Sequence, residues 1–162
     1  MQLWLTVQLV VLLLVANGTP VIAKRLLGNR FSCPLDQGVK LSDGQYLLGE
    51  SKTLRGLLLA ILVTSAAAPA VGLEWKIGTL VGATAMAGDL LSSFLKRRLR
   101  LSPSSQAVGL DQVPESLFPF LFCRPLLDLT WAAVVAGVVI FFVSELVLSR
   151  ILYRLGVRGH PY

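Results

Sequence analysis

Two long apolar runs constrain this chain more than any other feature: "LWLTVQLVVLLLVA" near the start and "WAAVVAGVVIFFVSELVL" near the end. Each approaches the ~20 apolar residues that cross a bilayer as a helix. Helices that are apolar all round cannot be covered by a small soluble core, so lipid is the natural solvent. Composition agrees. Charged residues make up 15% of the chain and mean hydropathy is +0.70, whereas soluble domains carry about 25% charged residues. The fold expected is an all-α polytopic membrane protein in one integral membrane domain, residues 1–162.

Five membrane-embedded helices are expected, over about 3–23, 54–73, 77–99, 114–127 and 129–153. The first is interrupted at "NGTP", Asn17 to Pro20, and the fourth is short and broken by prolines. The first run lacks a basic leader and stays apolar to Ala23, so it reads as a retained span and not as a cleaved signal. Thirteen of the fifteen Lys and Arg residues fall in segments 24–53 and 96–100, at Arg55 and in the tail; only Lys76 and Arg124 fall on the other face. Cations concentrate in cytoplasmic loops. This places the N-terminus outside, the C-terminus and loops 24–53 and 100–113 in the cytoplasm, and the protein in the cell (inner) membrane.

The same distribution accounts for the net charge of +6 and pI near 9.8 without invoking nucleic acid. Cys33 and Cys123 sit in unrelated contexts, and the single histidine, His160, lies in the tail. Neither a zinc site nor a catalytic triad is indicated.

Three strings on the basic face could carry chemistry. In "GDLLSSFLKRRL", Asp89 lies about ten residues inside the span's end, roughly 15 Å along the axis. An ionisable group at that depth costs about 2.5–3.5 kcal/mol on insertion scales and normally meets a partner in the bundle. Ser92, Ser93, Lys96 and Arg97 follow on the same face. The basic run alone could simply mark the interface; for Asp89 the balance reverses, because a helix that only had to span would not retain a carboxylate in its apolar half. In "GESKTLRG", Lys52, Thr53 and Arg55 open the second helix, whose N–H groups attract anions, though ordinary capping would look alike. In "LDQVPES", Asp111 and Glu115 enter the fourth helix and could either cap it or supply oxygen ligands to Mg²⁺. Together the strings offer carboxylates for a divalent ion and cations for phosphate. Phosphoryl and nucleotidyl transfer need that set and no His or Cys nucleophile.

The order "NGTPVIAK", "LDQGVKLSDGQYLLGESKTLRGLLLAI", "GDLLSSFLKRRLRLSP" and "LDQVPESLFPFL" resembles the CDP-archaeol synthase family, relatives of the phosphatidate cytidylyltransferases. The likeness runs from about Asn17 to Leu121. It implies Mg²⁺-dependent transfer of CMP from CTP to a membrane lipid phosphate, with pyrophosphate released. By that analogy Asp89 and Asp111 hold Mg²⁺, and Asp89, Lys96 and Asp111 are catalytic. Lys52, Arg55 and Arg97 bind phosphates, and Asn17, Thr53, Ser92 and Ser93 complete the substrate site. The string departs from the family at "VPES", where archaeal members tend to carry a second acid and a Phe. Two other readings stand beside the enzyme. One is a non-catalytic scaffold in which Asp89 pairs with Lys96 or Arg97. The other is a small transporter with a midplane site.

Overall fold

The computed structural model describes residues 2–101 and 107–154; Arg158, His160 and the middle of the 100–113 segment lie outside them. Five α-helices run in order: α1 (Gln2–Leu27), α2 (Leu54–Ala67), α3 (Trp75–Arg98), α4 (Gln112–Leu127) and α5 (Trp131–Arg154). A 3-10 turn, Ala68–Val71, ends α2. Pro69 cannot donate the bond that would continue the helix, and Gly72, at φ +84°, turns the chain towards α3.

The apolar runs dictate the packing. Leu9, Leu12, Leu13 and Ala16 of α1 meet Val81 and Ala85 of α3, with Phe120 of α4 and Phe141 of α5 completing one buried cluster. The opposite faces are apolar too: Leu62, Val135, Val139 and Val143 are exposed. Water would penalise such a surface and acyl chains would not. By length and apolarity α1, α3, α5 and α2 with its 3-10 turn are each able to cross a membrane. At 16 residues α4 measures about 24 Å, short of the ~30 Å hydrocarbon layer.

Glycine sets how closely the helices approach. Gly78 and Gly82, four apart on α3, lie against α2. A Cβ on Gly78 would stand 2.6 Å from the Thr64 carbonyl oxygen, and one on Gly82 would stand 2.9 Å from Ile61 Cα. This is the small-xxx-small packing that lets membrane helices meet along their backbones.

Contrary to the sequence expectation, α1 is unbroken through "NGTP". Pro20 removes one backbone donor, yet the helix continues. The Thr19 hydroxyl donates to Val15 O at 2.7 Å, a local bond of the kind that stabilises backbone near a proline in lipid. Pro20 also packs on α2, its Cβ 3.3 Å from where a Cβ on Gly56 would sit.

Side-chain bonds define the two ends of the bundle. At one end Gln2 donates to Asp128 O at 2.9 Å and accepts from Thr130 N at 3.2 Å, and Gln8 donates to Val71 O. The start of α1, the α2–α3 turn and the α4–α5 turn therefore share that end. All three tryptophans, Trp4, Trp75 and Trp131, lie exposed in the first turns of α1, α3 and α5, as in the aromatic belts of membrane interfaces. The other end carries the α1–α2 loop, residues 28–53, and the basic end of α3. There Arg98 bonds Asp43 and the carbonyls of Gln45 and Tyr46.

Candidate active site

The site lies inside the basic end, where α1, α3 and α4 meet the end of the α1–α2 loop. Its foundation is a backbone contact. A Cβ on Gly88 would stand 2.3 Å from the Pro114 carbonyl oxygen and 2.7 Å from Glu115 Cα. Helix α4 thus begins at the depth of Gly88, well inside the end of α3. This contact sets Asp89, the next residue, beside the first turn of α4.

Asp89 holds the Lys52 ammonium between both its oxygens, at 2.6 Å each. Asp111 pairs with Lys96 at 2.7 Å. Two carboxylates from separate elements are therefore each set against a lysine. Neither pair is the Asp89–Lys96 or Asp89–Arg97 contact expected of a scaffold. Burial opposes charge on Lys52, but the Asp89 carboxylate and its bonds more than offset this, with Glu115 and Asp111 adding to the effect, and the ammonium pKa is raised. Lys52 is thus the point on which all three acids act.

Glu115 is buried in the first turn of α4. Its charged neighbours are Asp89, Glu145 of α5 and Lys52, and the Asn17 amide of α1 faces it. The approach falls short of hydrogen-bond geometry: Glu115 Oε1 and Asn17 Nδ2 are both buried without a bond. A buried acid with an unsatisfied oxygen in a charged cluster is costly, and functional sites are where such costs concentrate.

The loop that delivers Lys52 is built on Asp36. Its carboxylate accepts from Gly38 N at 3.2 Å, Leu48 N at 2.9 Å and Gly49 N at 2.8 Å. Burial would raise the Asp36 pKa, but the backbone donors outweigh it and the pKa is lowered. Gly49, at φ +97°, turns the chain beside Arg97, and Lys52 N donates to Gly49 O at 3.1 Å.

The remaining candidates divide by what they touch. Thr53 caps α2, accepting from Gly56 N at 3.2 Å. Arg55 donates to the loop carbonyls of Gly28 and Arg30, which binds the loop to α2. Ser92 is buried and donates to Gly88 O at 2.9 Å; Ser93 and Arg97 are buried on the same helix. Asp111 stands at the cap position of α4 but makes no cap bond. Its Oδ2 accepts instead from Ala107 N at 3.0 Å, so the capping alternative is set aside. A small cleft opens between Pro20, Gly56 and Met86, with Lys52 and Asp89 in its wall.

The sequence reading passed over Glu145, although an acid inside "FFVSELVL" carries the same signal as Asp89. Asp36 was also missed; the Asp-x-Gly spacing of "LDQG" is the turn signature that pointed to it.

Helices sheathed in apolar side chains around a part-buried set of paired carboxylates and lysines define an all-helical, multi-pass membrane protein with a charged site inside one end of its bundle. Comparison with known proteins sharpens this: the family description "CarS-like: CDP-archaeol synthase" matches residues 70–162. The chain belongs to the CDP-archaeol synthase family. It is 34% identical over 154 residues to the CDP-archaeol synthase of Thermofilum pendens, covering 91% of this chain and 76% of that one. With the enzyme of that name from Sulfurisphaera tokodaii the identity is 32% over 155 residues, covering 92% and 90%. A solved structure described as an intramembrane enzyme for archaeal membrane lipids biosynthesis superposes with a TM-score of 0.76 at 31% identity, over 88% of this chain and 90% of the other.

Proposed function

We propose that this enzyme transfers CMP from CTP to a membrane lipid phosphate, giving a CDP-activated lipid and pyrophosphate. An oxygen of the lipid phosphate attacks the α-phosphorus of CTP, and the bond from that phosphorus to the bridging oxygen breaks as pyrophosphate leaves. The observation that carries the reading is the set of paired charges: Lys52 with Asp89 and Lys96 with Asp111, at the buried first turn of α4. Transfer of this kind is governed by positioning and charge neutralisation. On this reading Lys52 of the loop and Lys96 of α3 meet phosphate oxygens, and Arg97, beside Lys96 on α3, adds a third cation.

The residues fit Mg²⁺. Asp89 already grips a cation, the Lys52 ammonium, between two oxygens. Among the described residues no group of three or more His, Cys, Asp or Glu is gathered as a metal site. Mg²⁺ characteristically takes one or two carboxylates and fills its remaining positions with water and substrate phosphates. Asp89 and Asp111 would hold it, and when bound it would neutralise phosphate charge. Glu115, with one oxygen unbonded, lies at hand beside them.

The lipid tails would rest in the bilayer beside the apolar wall of the cleft, with the phosphate at the level of Asp89. On this reading α4 completes five membrane-embedded helices and the basic end faces the cytoplasm of the cell membrane. The test is to incubate purified protein with CTP labelled in the α-phosphate, Mg²⁺ and lipid phosphates with ether- or ester-linked chains. Label should enter the lipid with one pyrophosphate released per transfer. Label remaining wholly in CTP across the panel would remove the assignment.

A further inference from the structure

The contacts of Lys52 carry a consequence for the order in which ligands bind. We propose that Lys52 is a displaceable internal cation that couples metal binding to nucleotide binding, so that the divalent ion enters as its complex with the triphosphate and not alone. This rests on the cytidylyltransferase reading.

The ammonium of Lys52 occupies both oxygens of Asp89, at 2.6 Å each. Lys96 stands 2.7 Å from Asp111. A divalent ion that takes both oxygens of Asp89 displaces the Lys52 ammonium from between them, and one that takes a single oxygen competes with the ammonium for it. Both members of the Lys52–Asp89 pair are largely shielded, with side-chain exposures of 22% and 27%. An ammonium evicted there by a bare metal ion would face a second positive charge in a poorly screened site. A metal–triphosphate complex is net negative and brings phosphate oxygens to receive that ammonium. Metal and lysine then exchange partners with charge conserved.

The local backbone suits such an exchange. Lys52 is held on both sides of its peptide, by its N–H to Gly49 O at 3.1 Å and by Leu35 N to its own carbonyl at 2.8 Å. The next residue caps α2. Only the flexible four-carbon stem has to swing, and lysine, a compact charge with rotatable donors, changes partners more readily than the rigid fork of arginine. The Glu115 and Asp111 carboxylates also act on the ammonium, so it stays within the acidic cluster wherever it turns.

Mn²⁺ binding to the protein tests this, followed by the loss of the free-ion electron paramagnetic resonance signal with and without a non-hydrolysable α,β-methylene analogue of CTP. The loss that the analogue alone causes in protein-free solution is subtracted. Wild-type protein should bind Mn²⁺ weakly alone and about 5–150-fold more tightly with the analogue, the usual range of linkage between two sites. Lys52→Met should bind Mn²⁺ alone about tenfold or more tighter than wild type and lose most of the coupling. Lys52→Arg, which keeps a cation on Asp89, should retain weak binding of the metal alone. Equal Mn²⁺ affinity and equal coupling in wild type and Lys52→Met would overturn the proposal. Should Lys52→Met fail to fold, Lys52→Gln, which also removes the cation, is measured in its place, and wild type alone can still overturn the coupling. Wild-type protein that transfers CMP yet binds Mn²⁺ equally with and without the analogue overturns the coupling and leaves the transfer reading intact. Wild-type protein that transfers no CMP overturns both.

Discussion

Gly88 and Pro114 meet backbone to backbone, so closely that a Cβ on Gly88 would stand 2.3 Å from the Pro114 carbonyl oxygen. The contact seats the first turn of α4 against α3 at the level of Asp89, so the alignment of the acids depends on a missing side chain. Backbone cannot yield as a flexible side chain would. Gly88→Ala should therefore push the helices apart, at about 1–3 kcal/mol for overpacking. CMP transfer should fall further than the loss of folded protein explains. Gly18→Ala, inside α1 with nothing within 4 Å of the added Cβ, should leave thermal unfolding in detergent unchanged or raise it slightly, since alanine favours a helix interior over glycine. Thermal melts and turnover of the two variants together check the argument, and equal melts for both would refute it.

The loop that carries Lys52 should be sensitive to acid through Asp36. Its carboxyl pKa is lowered from 3.8 because three backbone N–H bonds to the charged form outweigh burial. A depressed carboxyl contributes stability that is present above its unfolded value and lost as pH falls through the folded one. Protection of the Gly38, Leu48 and Gly49 amides, taken as exchange relative to the intrinsic rate at each pH, should hold down to about pH 4 and fall below it. In Asp36→Asn those amides should exchange quickly at neutral pH as well. Protection that persists unchanged in the variant would show that the carboxylate does not organise the loop.

The tryptophans should report the membrane boundary. Trp4, Trp75 and Trp131 lie at one end of the bundle, 65%, 58% and 60% exposed, and Arg124 stacks on Trp131 with 4.3 Å to the ring centroid. Rings of this kind settle at headgroup depth. In bilayers of brominated lipid, bromine near the headgroups should quench their fluorescence more strongly than bromine near the bilayer centre. The reverse order would place this end of the bundle inside the hydrocarbon.

How much of this was legible in the sequence follows from what each inference needed. The helices could be read because lipid removes the requirement for a polar face: an uncharged run is itself the signal, and the start of α2 at Leu54 follows from the Thr53 cap. Asp89 and Asp111 stood out as acids beside or within apolar segments. Their partners did not. Lys52 is 37 residues from Asp89 in the chain, and only the folded loop built on Asp36 brings it there. Helical spacing pointed instead to Lys96 and Arg97, which share a helix with Asp89. The expected break in α1 failed because a proline in a membrane helix removes one bond and leaves the rest. The depth at which α4 starts is set by the Gly88 contact, and periodicity carries no information about it.

The central claim is that Asp89 and Asp111, from separate elements, act together on one nucleotide. Its most direct test is CMP transfer from labelled CTP to lipid phosphate by Asp89→Asn and Asp111→Asn, each purified and shown by thermal melting and size to be folded. Both variants should lose roughly a hundredfold or more in turnover, the scale of removing one preorganised charge from a transfer site. The double variant should be little worse than either single, because the two act as a unit. Folded Asp89→Asn that turns over CTP at the wild-type rate would contradict the claim.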